Sequence, residues 1–452
     1  MSGVKRNIAL ALAVAAAVAA PSAFATNGYF AHGYSMKEQG MVGAGVALSQ
    51  DSLAAATNPA GMVMVGSRMD IGASWFKPIR KYDATGTAGV PDGFACGALC
   101  PFEIGPQSIT SDNENFLIPQ FGYNTMLNAN SSFGVSVYGN GGMNTEYKGG
   151  TAQHNDGLGN AVTTDGTFGA GTAGVDLAQL FIAPTYAMKI GNDNAVGVSA
   201  ILAYQRFKAL GLGLFGAFGL STDASNLTDN GYDTSTGFGL KFGWQGQITP
   251  AVSVGASYQS KINMKKFKKY AGLFADGGDF DIPSTATVGL AFKATPASKV
   301  LLDVQRINYS DVDAVHNPFA NLNDCPAFGG TDASSCLGGS NGAGFGWKDM
   351  TIVKLGYQWD TSGGWTWRAG ISQGKQPIPS SEVMFNILAP AVMEKHLTFG
   401  FTKQVDSKSE INFAFMYAPE AKQSGENPLD PAQNIELKMK QYQLGATWGA
   451  KF

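Results

Sequence analysis

The chain has 452 residues with a formal net charge of −3; only 14% of them are charged, 11% are aromatic and 59 are glycine. The surface of a soluble protein is normally about a quarter or more charged, so this composition argues against an ordinary soluble protein. The slightly acidic balance gives no reason to propose a nucleic-acid partner.

The N-terminus has the pattern of an export signal. Lys5 and Arg6 precede an apolar run over 8–20, and Ala23-Phe24-Ala25 forms an A-x-A cleavage site. We predict a signal peptide over 1–25 and a mature chain that begins at Thr26, with a net charge of −5 once Lys5 and Arg6 are lost from −3. A membrane anchor is the less favoured alternative, because the apolar run is shorter than the roughly 20 residues of a spanning helix.

Residues 26–67 do not alternate between polar and apolar side chains. Small apolar residues fill 41–48, and Asn58-Pro59-Ala60-Gly61 is a turn signal after a short helical stretch. A terminal tail is usually polar, whereas this segment has apolar side chains to bury. The pattern therefore predicts a compact plug, or hatch, over 26–67 rather than a periplasmic tail.

From residue 68 onward, strands alternate with long loops and tight turns. In the last strand Tyr442, Leu444 and Trp448 alternate with Gln443 and Thr447, which is typical of a strand between lipid and a polar lumen. The pattern predicts an all-β fold, a 14-stranded antiparallel transmembrane β-barrel over 68–452 with both chain ends on the periplasmic side. The predicted strands are 68–82, 114–127, 132–147, 176–190, 195–210, 237–249, 252–263, 282–294, 299–310, 348–360, 365–374, 396–404, 409–419 and 438–452.

The four cysteines form two local pairs, Cys96 with Cys100 and Cys325 with Cys336, in segments rich in Gly, Pro and Asp. Such pairs suit loop disulfides in an oxidising compartment. Metal binding is the competing interpretation, but no histidine lies near enough in sequence to complete a zinc pattern. We expect two disulfides and no metal site.

The third strand is interrupted by Gly139, Asn140, Gly141 and Gly142. Glycine within a strand often marks a bulge or bend. The alternative is simply a glycine-rich lumen wall.

Two predicted extracellular loops are unusually apolar. An exposed apolar surface of this length often marks a binding site, and four lysines (265, 266, 268 and 269) beside it could attract a carboxylate or the phosphates of lipopolysaccharide. The predicted outer apolar groove consists of Leu210, Leu212, Leu214, Phe215, Phe218, Leu220, Phe267, Leu273 and Phe274.

Side chains alternate between the two faces of a strand, and this alternation (the parity of a residue in its strand) places three cations on the lumen face: Lys241, Lys354 and Arg368. A cation in an apolar pocket could pair with a fatty-acid carboxylate. For Lys354, an ion pair with an inward acid such as Asp303 is an equally good interpretation.

The segment 40–61, with Asn58, Pro59 and Ala60, resembles the N-terminal hatch of the FadL-type family of outer-membrane channels for long-chain fatty acids and aromatic hydrocarbons. The resemblance covers the whole mature chain: hatch, strand count and terminal Phe452. It implies that substrate is captured between the two apolar loops and enters a lumen pocket. It also implies that a shift of the hatch N-terminus, near 26–34, releases substrate sideways through a gap at the kink of Gly139–Gly142.

The predicted function is therefore passive uptake of hydrophobic compounds, with long-chain fatty acids ahead of toluene-like hydrocarbons and a general hydrophilic porin as the least favoured alternative. We predict no enzymatic activity and no cofactor, because none of the four histidines has a recognisable nucleophilic partner. The expected partners are the hydrophobic substrate, outer-membrane lipid and lipopolysaccharide, and the expected state is a monomer. A further role of the loops in adhesion or phage binding is left open.

Overall fold

The computed structural model describes residues 27–86, 103–155 and 161–452. The predicted signal peptide and the Cys96–Cys100 pair lie outside these residues. Among the described helices, none is long and apolar enough to cross a membrane.

Fourteen antiparallel strands of the described residues form one closed barrel, in which each strand pairs with its sequence neighbours and β1 pairs with β14. This confirms the predicted fold and strand number. The strands are β1 Arg68–Thr85, β2 Phe116–Asn128, β3 Ser131–Asn144, β4 Gly174–Ile190, β5 Asn194–Leu210, β6 Asp233–Thr249, β7 Val252–Gln259, β8 Thr285–Thr295, β9 Ser298–Ile307, β10 Met350–Thr361, β11 Trp365–Gly374, β12 Lys395–Gln404, β13 Ser409–Asn427 and β14 Asp430–Lys451.

The lower part of the wall is apolar outside and polar inside. On β14, Leu444 is 41% exposed and Trp448 lies exposed on the same face, whereas Gln443 is 3% exposed and Thr447 is buried. A water-soluble sheet would bury the apolar face instead. This inversion is what a strand in contact with lipid requires.

The upper part of the wall has the opposite polarity. On β14, Ile435 and Leu437 are buried in the lumen, whereas Glu436 and Lys438 point outward and form an ion pair of 2.6 Å. β13 and β14 extend well beyond the predicted 409–419 and 438–452 and are joined by a tight turn, with Asn427 paired to Asp430. The predicted loop over 420–437 was wrong, because strands that rise above the bilayer no longer follow the lipid-facing pattern.

Shorter elements cover the outer end and form the hatch. Residues 27–67 precede β1 and are almost all buried. The helices are Met36–Gln39, Gly213–Ala217, Ala275–Gly278 and Asp313–His316; the 3-10 turns are Ala54–Ala56, Pro59–Met64, Ala224–Asn226, Lys268–Tyr270, Tyr309–Asp311, Phe319–Asp324, Pro326–Phe328, Ala333–Ser335, Ser380–Glu382 and Phe385–Ile387; the short strands are Glu103–Ile104, Gln107–Thr110, Thr151–Asn155, Ala161–Asp165 and Asn263–Met264.

The loop that follows β9 contains the disulfide between Cys325 and Cys336, whose Cα atoms lie 4.9 Å apart. The predicted pairing of these two cysteines is confirmed. The two cysteines are eleven positions apart in sequence, and the loop lies on the outer side of the barrel.

Candidate functional site: the hatch, the wall gap and the outer cap

The Asn-Pro-Ala turn joins two parts of the hatch to the wall. Asn58 caps the turn Pro59–Met64 by accepting from the Ala60 amide. Its Nδ2 donates to the carbonyl oxygens of Val46, at 2.7 Å, and of Trp244 on β6, at 2.9 Å. A Cβ at Gly243 would lie 2.0 Å from Asn58 Oδ1, so this approach requires glycine in the wall.

All three predicted lumen cations are buried, and each donates to the hatch. Lys241 donates to the carbonyl of Ala56, Lys354 to that of His32 at 3.0 Å, and Arg368 to Gln50 Oε1 at 3.0 Å. A buried cation needs such acceptors. In this arrangement the three cations donate to the hatch, and their role as carboxylate partners stays a prediction.

Asp303 on β9 does not form an ion pair with Lys354 within 4.0 Å. Its Oδ2 instead accepts the backbone amides of Gly45 and Val46, at 2.8 and 2.9 Å. The carboxylate is fully buried, so these two charge-assisted bonds are its main stabilisation. They hold the glycine-rich part of the hatch to β9.

An ion cluster holds the hatch at the periplasmic end. Lys37 Nζ lies 2.5 Å from Glu410 Oε1, and Arg68 Nη2 lies 2.6 Å from both Glu410 and Asp70. Asp70 also accepts from the amide of Ser52 at 2.9 Å. The hatch is thus bonded to β1, β6, β9, β10, β11 and β13 around the barrel.

The predicted kink in β3 contains an irregularity in strand pairing. The register with β4 shifts between Gly139 and Gly141, so Asn140 is the extra residue of a bulge. Phe30 of the hatch forms a bridge with Gly141. A Cβ at Gly141 would lie 2.0 Å from the Tyr29 carbonyl oxygen, so the close approach of the hatch depends on this glycine.

Beside the kink, β2 and β3 part. Their pairing ends at Gln120 and Tyr138. Contact resumes above, where the amide of Asp112 donates to the carbonyl of Glu146 and the amide of Glu146 donates to Ser111 Oγ. Between these points the backbone of β3 bonds to the hatch: the amide of Ala31 donates to Asn140, and that of Gly142 donates to Tyr29. The wall gap is thus closed by the hatch N-terminal segment, residues 27–31.

The outer apolar groove is not an exposed surface. Leu212, Phe215, Leu220, Phe267 and Phe274 are buried. They turn inward because the other long loops supply apolar partners and together form an outer cap over the barrel. The remaining members pack at its margin or lie partly exposed, namely Leu210, Leu214, Phe218 and Leu273.

An apolar cavity of about 30 Å³ lies within this cap. None of its lining residues is charged: they are Val175, Phe207, Leu212, Phe215, Leu273, Phe274, Ala314, Leu337, Ala343, Gly344, Phe345, Phe385 and Leu388. A dry engineered cavity that binds benzene has about 150 Å³. The cap must therefore open or repack before a hydrophobic solute can be bound here.

Several of these residues come from loops to which the sequence assigned no role. Ala314, Phe345, Phe385 and Leu388 follow β9 and β11, and Phe385 packs on Phe215 with ring centroids 5.5 Å apart. The run over 383–388 is as apolar as the run over 209–220 that was singled out. The same criterion would have found it.

Aromatic rings connect this cavity to the wall gap. Phe207 and Phe274 have centroids 4.7 Å apart, Phe274 and Phe280 4.8 Å, and Phe280 and Tyr29 6.2 Å. Tyr29 stands next to Phe30, which bridges to β3. The apolar interior is therefore continuous from the cap to the segment that closes the gap.

A chain of amides runs beside these rings. Asn140 donates to Gln179, Gln179 to Gln205, and Gln205 to the carbonyl of Phe280, at 2.9, 3.1 and 2.8 Å. All three side chains are buried. The bulge in β3 is thus bonded through β4 and β5 to the loop that carries part of the cavity wall.

One histidine has a hydroxyl neighbour that sequence reasoning missed. His396 Nδ1 lies 3.1 Å from Ser372 Oγ across β11 and β12. Its Nε2 has no partner, so the acid that would orient it in a catalytic triad is missing there. In the part of the chain that the structure describes, no cluster of three or more metal-ligating side chains occurs.

The outer loop between β7 and β8 contains a carboxylate pair. Burial and the neighbouring Asp281 raise the pKa of Asp279 to about 6, from an ordinary value of 3.8. The pKa of Asp279 is higher in the folded protein than in the unfolded one, so the protonated form of this side chain favours the folded loop. This contribution to stability is complete below pH 3.8 and is lost as the pH rises through 6. We expect amide exchange at Phe274 and Phe280, corrected for its intrinsic pH dependence, to be faster at pH 8 than at pH 5. Asp279→Asn should remove the difference; equal pH dependence in both proteins would contradict the assignment.

Comparison with known proteins gives one family. The model described as outer membrane protein transport protein (OMPP1/FadL/TodX) matches residues 16–450. No curated protein matches the chain significantly.

Solved structures of the same fold are similar over nearly the whole chain. The Pseudomonas putida toluene transporter TodX has 16% identity and a TM-score of 0.62, covering 93% of this chain and 99% of that one. A Pseudomonas aeruginosa FadL homologue has 14% identity and a TM-score of 0.63, covering 94% and 100%. The Ralstonia pickettii toluene transporter TbuX has 15% identity and a TM-score of 0.57, covering 93% and 99%. At such identities the similarity establishes the fold alone.

Proposed function

Because this chain belongs to the OMPP1/FadL/TodX family, it is an outer-membrane channel for hydrophobic compounds and not an enzyme, and we propose that it carries long-chain fatty acids and releases them sideways into the bilayer. The hydrophobic solute enters the outer cap, follows the aromatic rings to the hatch N-terminal segment, and leaves between β2 and β3. The predicted contacts with lipopolysaccharide and the monomeric state stay predictions.

The observation that carries this proposal is the wall gap itself. Six residues of β3, 139–144, are not paired with β2, and this unpaired edge is covered by the hatch segment. Backbone bonds to β3 and the hydroxyl of Tyr309 hold that segment, with no ion pair among its bonds in the described residues. The rest of the hatch, in contrast, is held by buried ion pairs and by charge-assisted bonds to Asp303. Moving the N-terminal segment is therefore the smallest change that connects the apolar interior with lipid.

A second candidate, uptake of toluene-like hydrocarbons, is favoured by one observation. The cavity in the cap is lined without any charged side chain, and such a site offers a carboxylate no partner. An uncharged aromatic molecule would need none.

Uptake of labelled oleate, toluene and a small sugar tests these functions, in a host that lacks its own fatty-acid channel. We expect oleate to enter, and we expect replacement of Gly139 and Gly142 by valine to lower its uptake at least tenfold, since β-branched residues favour regular strand pairing. Gly141 is left unchanged because a Cβ there would displace the hatch segment. Gly213→Ala is the matched control, because its added Cβ lies 3.5 Å from the nearest side-chain atom.

The heat-dependent shift of the barrel on a denaturing gel verifies folding of each variant. Toluene uptake alone would assign the channel to hydrocarbons. Entry of the sugar alone would make it a porin and refute the lateral route.

A further inference from the structure

Arg80 on β1 is a buried cation that the hatch does not use. Its side chain is 1% exposed and has the same parity as the buried Phe76 and Tyr82. Nη1 donates to the carbonyl of Asn113 at 3.1 Å, and the guanidinium lies 5.7 Å from the centre of the Phe116 ring. Nη2 has no hydrogen-bond partner.

Within the described residues, no carboxylate lies within 4.0 Å of this guanidinium. The two acids whose charge reaches it, Glu114 and Asp176, are engaged elsewhere: Glu114 faces Lys77 at 3.5 Å, and Asp176 accepts from the hydroxyl of Tyr232. A buried, unpaired guanidinium is costly. In the part of the chain that the structure describes, the positive charge of Arg80 is therefore not balanced by an adjacent carboxylate.

A second unsatisfied donor lies beside it. Tyr147 is fully buried, its hydroxyl has no partner, and it is among the groups that interact electrostatically with Arg80. It is held in place by Tyr82, with ring centroids 5.0 Å apart. An Arg N–H and a phenol O–H in an apolar environment form a receptor for a carboxylate.

This pair borders the wall gap. Asn113, which accepts from Arg80, lies between Asp112, where contact with β3 resumes, and Phe116, where β2 begins. Strand β1, which carries Arg80, also indicates the height of this side chain relative to the membrane. Outside the barrel the exposed Trp75 and the stacked pair of Tyr417 and Tyr442 mark an aromatic belt.

Above this belt, Lys81 pairs in register with Lys438, and Lys438 with Lys422. This outward row of three lysines indicates the level of the polar headgroups. Arg80, next to Lys81, therefore lies on the lumen side at headgroup height.

From these observations we infer that Arg80, with Tyr147, receives the carboxylate of a long-chain fatty acid at the exit step, so that the chain leaves tail first through the wall gap. This rests on the proposed lateral release and names the group that distinguishes acids from hydrocarbons. A carboxylate held at headgroup height needs no further vertical movement once the tail has entered the outer leaflet. An uncharged hydrocarbon would pass without using the site.

Uptake of oleate, methyl oleate and toluene by cells that carry Arg80→Gln, Arg80→Lys or Tyr147→Phe tests this inference. We expect Arg80→Gln to lower oleate uptake at least tenfold and Tyr147→Phe several-fold. Arg80→Lys should retain part of the oleate uptake, and methyl oleate and toluene should change less than twofold. Lys81→Gln, one residue away on the outer face, is the matched control.

An equal loss for all three substrates would give Arg80 a purely structural role, and unchanged oleate uptake in Arg80→Gln would also refute the site. If the unmodified protein carries toluene but no oleate, the fatty-acid function itself fails. That result is seen before any variant is compared. Each variant is first checked for its heat-dependent gel shift, as above.

Discussion

Tethering the hatch N-terminal segment to β3 is expected to abolish uptake of hydrophobic substrates. Ala31 and Asn140 are neighbours in the short ladder between the hatch and β3, with a hydrogen bond of 3.0 Å. Paired residues in such ladders have Cα atoms about 4.5–5.5 Å apart, within the range that a disulfide spans. Ala31→Cys combined with Asn140→Cys should therefore lock the gap when oxidised.

Oleate uptake into cells should fall to background under oxidising conditions and return on reduction. The two single-cysteine proteins control for the loss of the amide chain that starts at Asn140. Undiminished uptake by the oxidised double variant, with the bond verified by mass spectrometry, would mean that substrate does not leave past this segment.

Asp303→Ala should release part of the hatch without unfolding the barrel. The change removes two charge-assisted bonds, to the amides of Gly45 and Val46, each worth about 1.5–3 kcal/mol. Since 1.4 kcal/mol is about a factor of ten in an equilibrium, amide exchange at these two residues should accelerate roughly 10- to 100-fold.

Exchange is measured by mass spectrometry on the folded barrel in detergent. Asp83→Ala, which removes an outward carboxylate paired with Lys81 at 3.1 Å, should leave the hatch amides unchanged. Comparable exchange in Asp303→Ala and the unmodified protein would show that other contacts hold this part of the hatch.

The barrel was predictable because each lipid-facing strand carries its own signal. Alternations such as that of Leu444 and Trp448 with Gln443 and Thr447 set strand, face and register together, so fourteen strands could be placed from sequence. The signal fails where the strands leave the bilayer. Leu437 and Met439 point into a packed lumen and Glu436 points out to water, so a criterion based on lipid contact mistakes the upper half of β14 for a loop.

The site was less predictable because its residues act in pairs from distant parts of the chain. Parity identified Lys241, Lys354 and Arg368 as inward, but not that each would meet a carbonyl or amide of the hatch. Arg80 has the same parity signal, four residues after Phe76, and could have been listed by the same rule. Parity could not show that Arg80 has no adjacent carboxylate, because that depends on which acidic side chains lie near it in the folded barrel.

The order of elements along the chain has a consequence for assembly. The ring closes only when β1 meets β14, the first strand against the last, whereas the hatch precedes both in sequence. The hatch bonds to Asp70 of β1 and to Glu410 of β13, so it contacts strands on both sides of this seam. Closing the ring therefore brings together strands that hold the hatch, which couples assembly of the barrel to the seating of the segment that precedes it.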